Sequence, residues 1–122
     1  MTADLEKYMK LALKEARKGY GKVSPNPLVG ALIVKNGRII GKGHHKVYGG
    51  PHAEVNAINS CKEDPAGSDM FVTLEPCSHH GKTPPCTDLI IRKKIKKVFI
   101  GIIDPSHHAS GKGIKILRNA GI

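Results

Sequence analysis

The stretch Leu28-Val29-Gly30-Ala31-Leu32-Ile33-Val34-Lys35-Asn36-Gly37-Arg38-Ile39-Ile40-Gly41-Lys42-Gly43 begins with a nearly unbroken apolar run, breaks at Asn-Gly, and resumes. An apolar run of that length, residues 28–34, reads as a buried strand. Asn-Gly suits a two-residue turn whose central residues both take positive φ, so residues 38–43 are expected to return antiparallel. Upstream, Leu5, Tyr8, Met9, Ala12, Leu13 and Ala16 recur at helical spacing, which predicts an amphipathic helix over residues 3–18. Thr2 is placed to cap it, and Gly19 and Gly21 to end it. Downstream, helices are expected at about residues 52–61, 86–94 and 113–119, and strands at 70–74 and 98–103. The last of these strands is apolar enough to be read as central and covered on both faces. The order α-β-β-α-β-α-β-α predicts a three-layer α/β/α sandwich. Its mixed sheet would consist of an N-terminal antiparallel hairpin followed by parallel strands.

A chain of 122 residues with 39% hydrophobic and 25% charged residues has the composition of one folded domain, residues 1–122. No linker, repeat or low-complexity segment divides it. The chain ends where such a pattern would begin another strand, which fits either a small complete domain or a domain boundary. No apolar run approaches the roughly 18 residues of a membrane span, so no membrane partner is expected. Three cysteines do not form a secreted disulfide framework, and the expectation is a cytoplasmic protein with reduced thiols. Twenty Lys and Arg against ten acidic residues give a net charge of +10, which attracts anions without naming one. Aromatic residues are 4% of the chain; Phe71 and Phe99 sit in apolar runs, and the few aromatic rings are read as buried. A platform for stacking single-stranded bases is therefore not expected, nor is a nucleic-acid partner.

Three segments share one local design: Pro51-His52, Pro76-Cys77 and Pro85-Cys86. Proline favours the first helical position, so each ligand-type residue is expected in a first helical turn, where the dipole favours a thiolate. One His and two Cys are the ligand count of a Zn²⁺ ion with one position open, and one zinc per chain is expected. Glu54, two residues past His52, is placed to move a proton between a zinc-activated water and a leaving amine. The alternative is a closed structural site with His79 or His80 as fourth ligand. Cys61, a lone small thiol, is assigned to the core. H-x-E followed by P-C-x-x-C is the signature of zinc-dependent nucleobase deaminases; here eight residues separate Cys77 from Cys86.

Ser24-Pro25-Asn26-Pro27, Pro51-His52-Ala53-Glu54, Thr73-Leu74-Glu75-Pro76-Cys77-Ser78-His79 and Lys82-Thr83-Pro84-Pro85-Cys86 together resemble the deaminase domain of riboflavin biosynthesis. Asp104-Pro105 and Gly111-Lys112-Gly113 extend that resemblance over nearly the whole chain. It implies a cytidine deaminase-like fold. It also implies hydrolytic loss of the 2-amino group from 2,5-diamino-6-ribosylamino-4(3H)-pyrimidinone 5′-phosphate, a small phosphorylated pyrimidine. His52, Cys77 and Cys86 would be the zinc ligands and Glu54 the catalytic proton shuttle. Asn26 would read the pyrimidine edge and His45 would also face the substrate, while His79, Lys82 and Asp104 would serve the ribose phosphate. Members of the family are often fused to a reductase that uses NADPH, and a reductase domain, fused or separate, is the expected partner alongside self-association into a homo-oligomer.

Plainer readings stand beside these: Asn26 closing a turn, Lys82 solvated, His45 a surface histidine. The chain departs from the family's Asp-Pro-Asn-Pro with Asp104-Pro105-Ser106-His107-His108, where Ser106 is the shorter substrate-binding candidate and His107 a substitute anion partner. Two further function classes compete. One is deamination of another base, free or within RNA; the other is a non-enzymatic zinc module on nucleic acid, marked by four protein ligands.

Overall fold

The computed structural model describes residues 2–79, 81, 83–107 and 109–122. Among the described residues four strands form one sheet in the order β2-β1-β3-β4, and four helices cover it. They are α1 (Thr2–Arg17), β1 (Gly30–Lys35), β2 (Arg38–His44), α2 (Ala53–Asn59), β3 (Asp69–Leu74), α3 (Cys86–Arg92), β4 (Lys97–Ile102) and α4 (Lys112–Asn119). Asn36 and Gly37 both take positive φ, 51° and 75°, as the hairpin requires. β1 is antiparallel to β2 and to β3, and β3 is parallel to β4. The carboxyl ends of β2, β3 and β4 and the start of β1 therefore share one edge of the sheet.

Alternation along the central strands sorts side chains onto two covered faces. Leu32, Val34 and Phe71 pack with Ala12, Tyr8 and Met9 of α1. Ala31, Ile33, Met70 and Val72 face the other way, against Ala53, Ala57 and Ile58 of α2, Ile90 of α3 and Leu117 of α4. Two glycines on β2 allow α2 to lie close. A Cβ on Gly41 would meet the Ala57 carbonyl at 2.6 Å, and one on Gly43 would meet the Ala57 nitrogen at 2.4 Å.

Four expectations need correction. Residues 98–103 do not form a central strand: β4 is the sheet edge, with Ile102 and Ile103 61% and 54% exposed. Leu5 and Leu13 lie on the exposed side of α1, so its packed stripe is narrower than the sequence pattern. Thr2 is the first residue of α1 and not a residue ahead of it. Tyr20 and Tyr48 are exposed rings, so the aromatic residues are not all in the core. No helix among the described residues is long and apolar enough to cross a membrane.

Candidate active site

The metal-capable residues reach the shared sheet edge from three directions. His52 is the N-cap of α2, Cys86 is the first residue of α3, and Cys77 lies in the loop after β3. Only Cys86 stands in a helical turn as the prolines suggested; Pro85 is the N-cap of α3 and Pro76 precedes no helix. The helix effect on Cys77 arrives from α3 instead. The Cys86 backbone N–H donates to the Cys77 Sγ at 3.1 Å, and Thr87 N–H donates to the Cys77 carbonyl at 3.2 Å.

The His52 Nδ1 lies 3.7 Å from the Cys77 Sγ and 3.4 Å from the Cys86 Sγ. Tetrahedral zinc with ordinary Zn–N and Zn–S lengths would separate such a nitrogen and sulfur by about 3.6 Å, so the donor set fits that ion. All three donor atoms lie within 4.8 Å of one another, and among the described residues they form the one such group. His79 is outside it, which leaves the site with three protein donors. His80 lies outside the described residues. Cys86 is buried, Cys77 half-buried and His52 exposed, so the open side of the site faces solvent.

The electrostatics divide the two thiols. The hydrogen bond from the Cys86 side chain, with those from His52 and the Cys86 backbone N–H, lowers the Cys77 pKa to about 4. Cys86 is pushed upward by the same bond to Cys77 and by burial. The hydrogen bond to Cys77 raises His52. Glu54, in the first turn of α2, is 4% exposed, and burial raises its carboxyl to about 7. A carboxyl at that value can both take and give a proton at neutral pH. Cys61 stays with the apolar core, its thiol raised by burial.

A cavity of about 420 Å³ is lined by Glu54 and by two of the three donors, His52 and Cys77. Asn26, His45, His79, Asp104 and Ser106 line it as well. Its size is that of a small-molecule site. A larger groove, over β2 between α1 and α2, is lined by Lys14, Lys18, Lys42, Lys46 and Lys62 but holds none of these groups, so the smaller cavity is where chemistry can occur.

Asn26 closes a turn through its backbone N–H to the Val23 carbonyl at 2.8 Å. Its side chain has a separate partner. The His45 Nδ1 is 3.0 Å from the Pro51 carbonyl, which can only accept, so Nδ1 carries the proton and Nε2 is the acceptor. The Asn26 Nδ2 at 3.1 Å then donates to that Nε2, which fixes the amide with its nitrogen toward His45. His45 itself is buried, 4% exposed. Ser106 donates to the Asp104 Oδ1 from both its N–H and its Oγ, at 2.9 and 2.8 Å. Lys82 and His108 lie outside the described residues. Sequence reasoning gave no role to Glu75, which also lines the cavity. Its sequence signals were its place in the motif Thr73-Leu74-Glu75-Pro76-Cys77 and a carboxylate set between an apolar strand and Pro76.

Residues 2–102 match the cytidine and deoxycytidylate deaminase zinc-binding region. The chain is 55% identical over 115 residues to the riboflavin biosynthesis protein RibD of Actinobacillus pleuropneumoniae, covering 94% of this chain and 31% of that protein. It is 51% identical to the diaminohydroxyphosphoribosylamino-pyrimidine deaminase of Buchnera aphidicola, covering 94% of this chain and 78% of that one. Its backbone matches the Thermotoga maritima diaminohydroxyphosphoribosylaminopyrimidine deaminase/5-amino-6-(5-phosphoribosylamino)uracil reductase with a TM-score of 0.94 at 55% identity. That match covers 98% of this chain and 35% of the other. The chain thus spans about a third of the length of the longer relatives. Its zinc-type donor set, buried Glu54 and three-layer fold agree with these matches, and the chain belongs to the cytidine and deoxycytidylate deaminase zinc-binding family.

Proposed function

We propose that this chain hydrolyses the 2-amino group of 2,5-diamino-6-ribosylamino-4(3H)-pyrimidinone 5′-phosphate. The products are 5-amino-6-ribosylaminouracil 5′-phosphate and ammonia. The observation that carries the reading is the convergence of Glu54, His52, Cys77 and several polar side chains on one cavity of about 420 Å³, with Cys86 completing the donor set. The 51% identity to the Buchnera deaminase supports the choice of substrate.

His52, Cys77 and Cys86 would hold zinc, which would supply a Lewis acid able to activate water at neutral pH. Glu54 takes the proton that the attacking water gives up and delivers it to the departing amine. Its raised pKa suits both transfers. Asn26, its amide fixed by His45, meets the polar edge of the pyrimidine, while Val29, Ala53 and Leu74 offer apolar surface to the ring. Asp104, Ser106 and His79, which also line the cavity, are the groups assigned to the ribose phosphate in this reading, with Lys82, three residues after His79 in sequence, as the proposed cation.

Residues 1–122 act as one deaminase domain in this reading, in the cytoplasm. The product passes to a reductase, on the same or a separate polypeptide, as the name of the Thermotoga relative suggests. The test is ammonia release by the zinc-loaded chain from the ribose phosphate, from its dephosphorylated nucleoside and from a defined single-stranded RNA. Turnover of the phosphate at least ~10-fold more efficient than of the nucleoside is expected. Equal turnover of the nucleoside, or faster deamination of the RNA, overturns the reading.

A further inference from the structure

Glu75 joins the loop that carries Cys77 to the loop that carries Asp104 and Ser106. It is 4% exposed and follows the last residue of β3, where its N–H still donates to the Ile102 carbonyl of β4 at 3.0 Å. Its carboxyl accepts three backbone N–H groups from a single distant segment. Oε1 takes those of Asp104 at 3.1 Å and Gly111 at 3.0 Å, and Oε2 takes that of Gly113 at 2.9 Å.

The segment is shaped for this contact. Gly111 is the N-cap of α4 with φ of 89°, so a side chain there would be strained. A Cβ on Gly113 would stand 2.3 Å from the Pro76 carbonyl, so only glycine lets α4 approach the metal loop this closely. Glu75 thus occupies the N-terminus of α4, where N–H groups lack helical partners and a negative group is favoured. The Asp104 N–H is bound to Glu75 while its Oδ1 holds Ser106, so a chain of hydrogen bonds runs from Glu75 through Asp104 to Ser106.

We propose that Glu75 is a positioning residue that sets the distance between the zinc-binding loop and the ribose-phosphate wall of the cavity. Its carboxyl oxygens are engaged by the backbone N–H groups of Asp104, Gly111 and Gly113, and it acts through the backbone of Asp104. This deepens the function proposed above and rests on it, because a phosphate wall has meaning only for a phosphorylated substrate. Cys77 and Asp104 come from loops after adjacent parallel strands. Loops are the more mobile parts of a fold, and one buried carboxyl removes their freedom to drift apart.

The variant is Glu75→Gln. It keeps shape and volume but turns one acceptor oxygen into an amide donor facing a backbone N–H. For the phosphorylated substrate, KM should rise by about ten-fold while kcat stays within about three-fold, and zinc should remain at one per chain. For the dephosphorylated nucleoside, kcat/KM should stay within about two-fold, so the preference for phosphate collapses. Amide hydrogen exchange at Gly111 and Gly113 should speed up in the same variant, a readout independent of turnover. Gly111→Ala strains the same anchor from the other side, with no atom within 4 Å of the added Cβ, and should move the ratio in the same direction. A proportional loss on both substrates, loss of zinc, unchanged exchange at Gly111 and Gly113, or an unaltered preference each overturns the assignment. Failure of the wild type to prefer the phosphate overturns the proposed function instead, and the exchange result then still judges the anchor.

Discussion

The backbone N–H of Cys86 donates to the Sγ of Cys77 at 3.1 Å, so the start of α3 serves a thiolate that belongs to another segment. The positive end of the helix and the Cys86 side chain together hold the Cys77 thiol near 4, well below its ordinary range. Cys77→Ser replaces this thiolate with a hydroxyl that stays neutral and ligates zinc poorly. Zinc content by elemental analysis should fall from one per chain to below ~0.1. The thermal midpoint should drop by at least ~10 °C, because binding energy at such a site is also folding energy. One zinc per purified mutant chain would show that the donor set is wrong.

Glu54→Gln tests catalysis and stability at once. It keeps the size of the side chain but cannot shuttle a proton, so turnover should fall at least ~10²-fold with zinc retained. Because burial raises the Glu54 pKa from its ordinary 4.5 to about 7, the folded state favours the protonated form. The favourable contribution is complete below about 4.5 and is lost as pH rises through about 7. The variant should therefore match the wild type in stability near pH 4.5 and exceed it by about 1–3 kcal/mol above pH ~8, the lower figure applying with zinc bound. Calorimetric scans of both proteins across that range decide it. A mutant less stable at pH ~8 would contradict the buried carboxyl.

How legible this molecule is from its sequence depends on the distance over which each feature is decided. The hairpin at Asn36-Gly37 is local and stands where the sequence places it, and the three donors named from the sequence do come together, although only Cys86 lies in a helical turn. β4 was misplaced because an all-apolar run such as Val98-Phe99-Ile100 reports what the strand is made of, not how many strands flank it. Cys77 was assigned to a helix because Pro76 resembles Pro85 in sequence, while the chain continues as a loop after the first and a helix after the second. Glu75 acquires meaning only from N–H groups 29 to 38 residues away, which no local pattern shows. The pairing of Asn26 with His45, 19 residues apart, is hidden for the same reason.

That pairing yields its own test. Since Nδ1 of His45 donates to Pro51, its Nε2 needs a donor, and the Asn26 amide nitrogen is that donor. Asn26→Asp puts an oxygen opposite the Nε2 lone pair, so two acceptors face each other and the carboxylate swings away or draws a proton onto His45. Either way the cavity loses an oriented amide, and kcat/KM should fall at least ~10-fold with zinc content unchanged. Ammonia-release kinetics against metal content measure both. Wild-type kinetics in the mutant would mean that Asn26 only closes its turn.

Gly43 ties the fold to the site through packing alone. A Cβ there would lie 2.4 Å from the Ala57 nitrogen and 2.7 Å from the Asn56 carbonyl carbon, both backbone atoms of α2 that no side-chain rotation can relieve. Gly43→Ala must therefore push α2 off β2, at a cost of about 1–3 kcal/mol for forced overpacking. The same helix carries Glu54 in its first turn and His52 at its N-cap, so the displacement reaches the proton shuttle and one zinc donor together. Urea midpoints should fall in step with the loss of stability, and kcat should drop by a larger factor than KM rises, because the disturbed groups act on the reacting carbon and not on the phosphate end. Gly81→Ala is the control, since among the described residues a Cβ there meets nothing within 4 Å and stability should stay within ~0.5 kcal/mol of wild type. If Gly43→Ala unfolds at the wild-type urea concentration and turns over normally, α2 does not depend on this contact for its position.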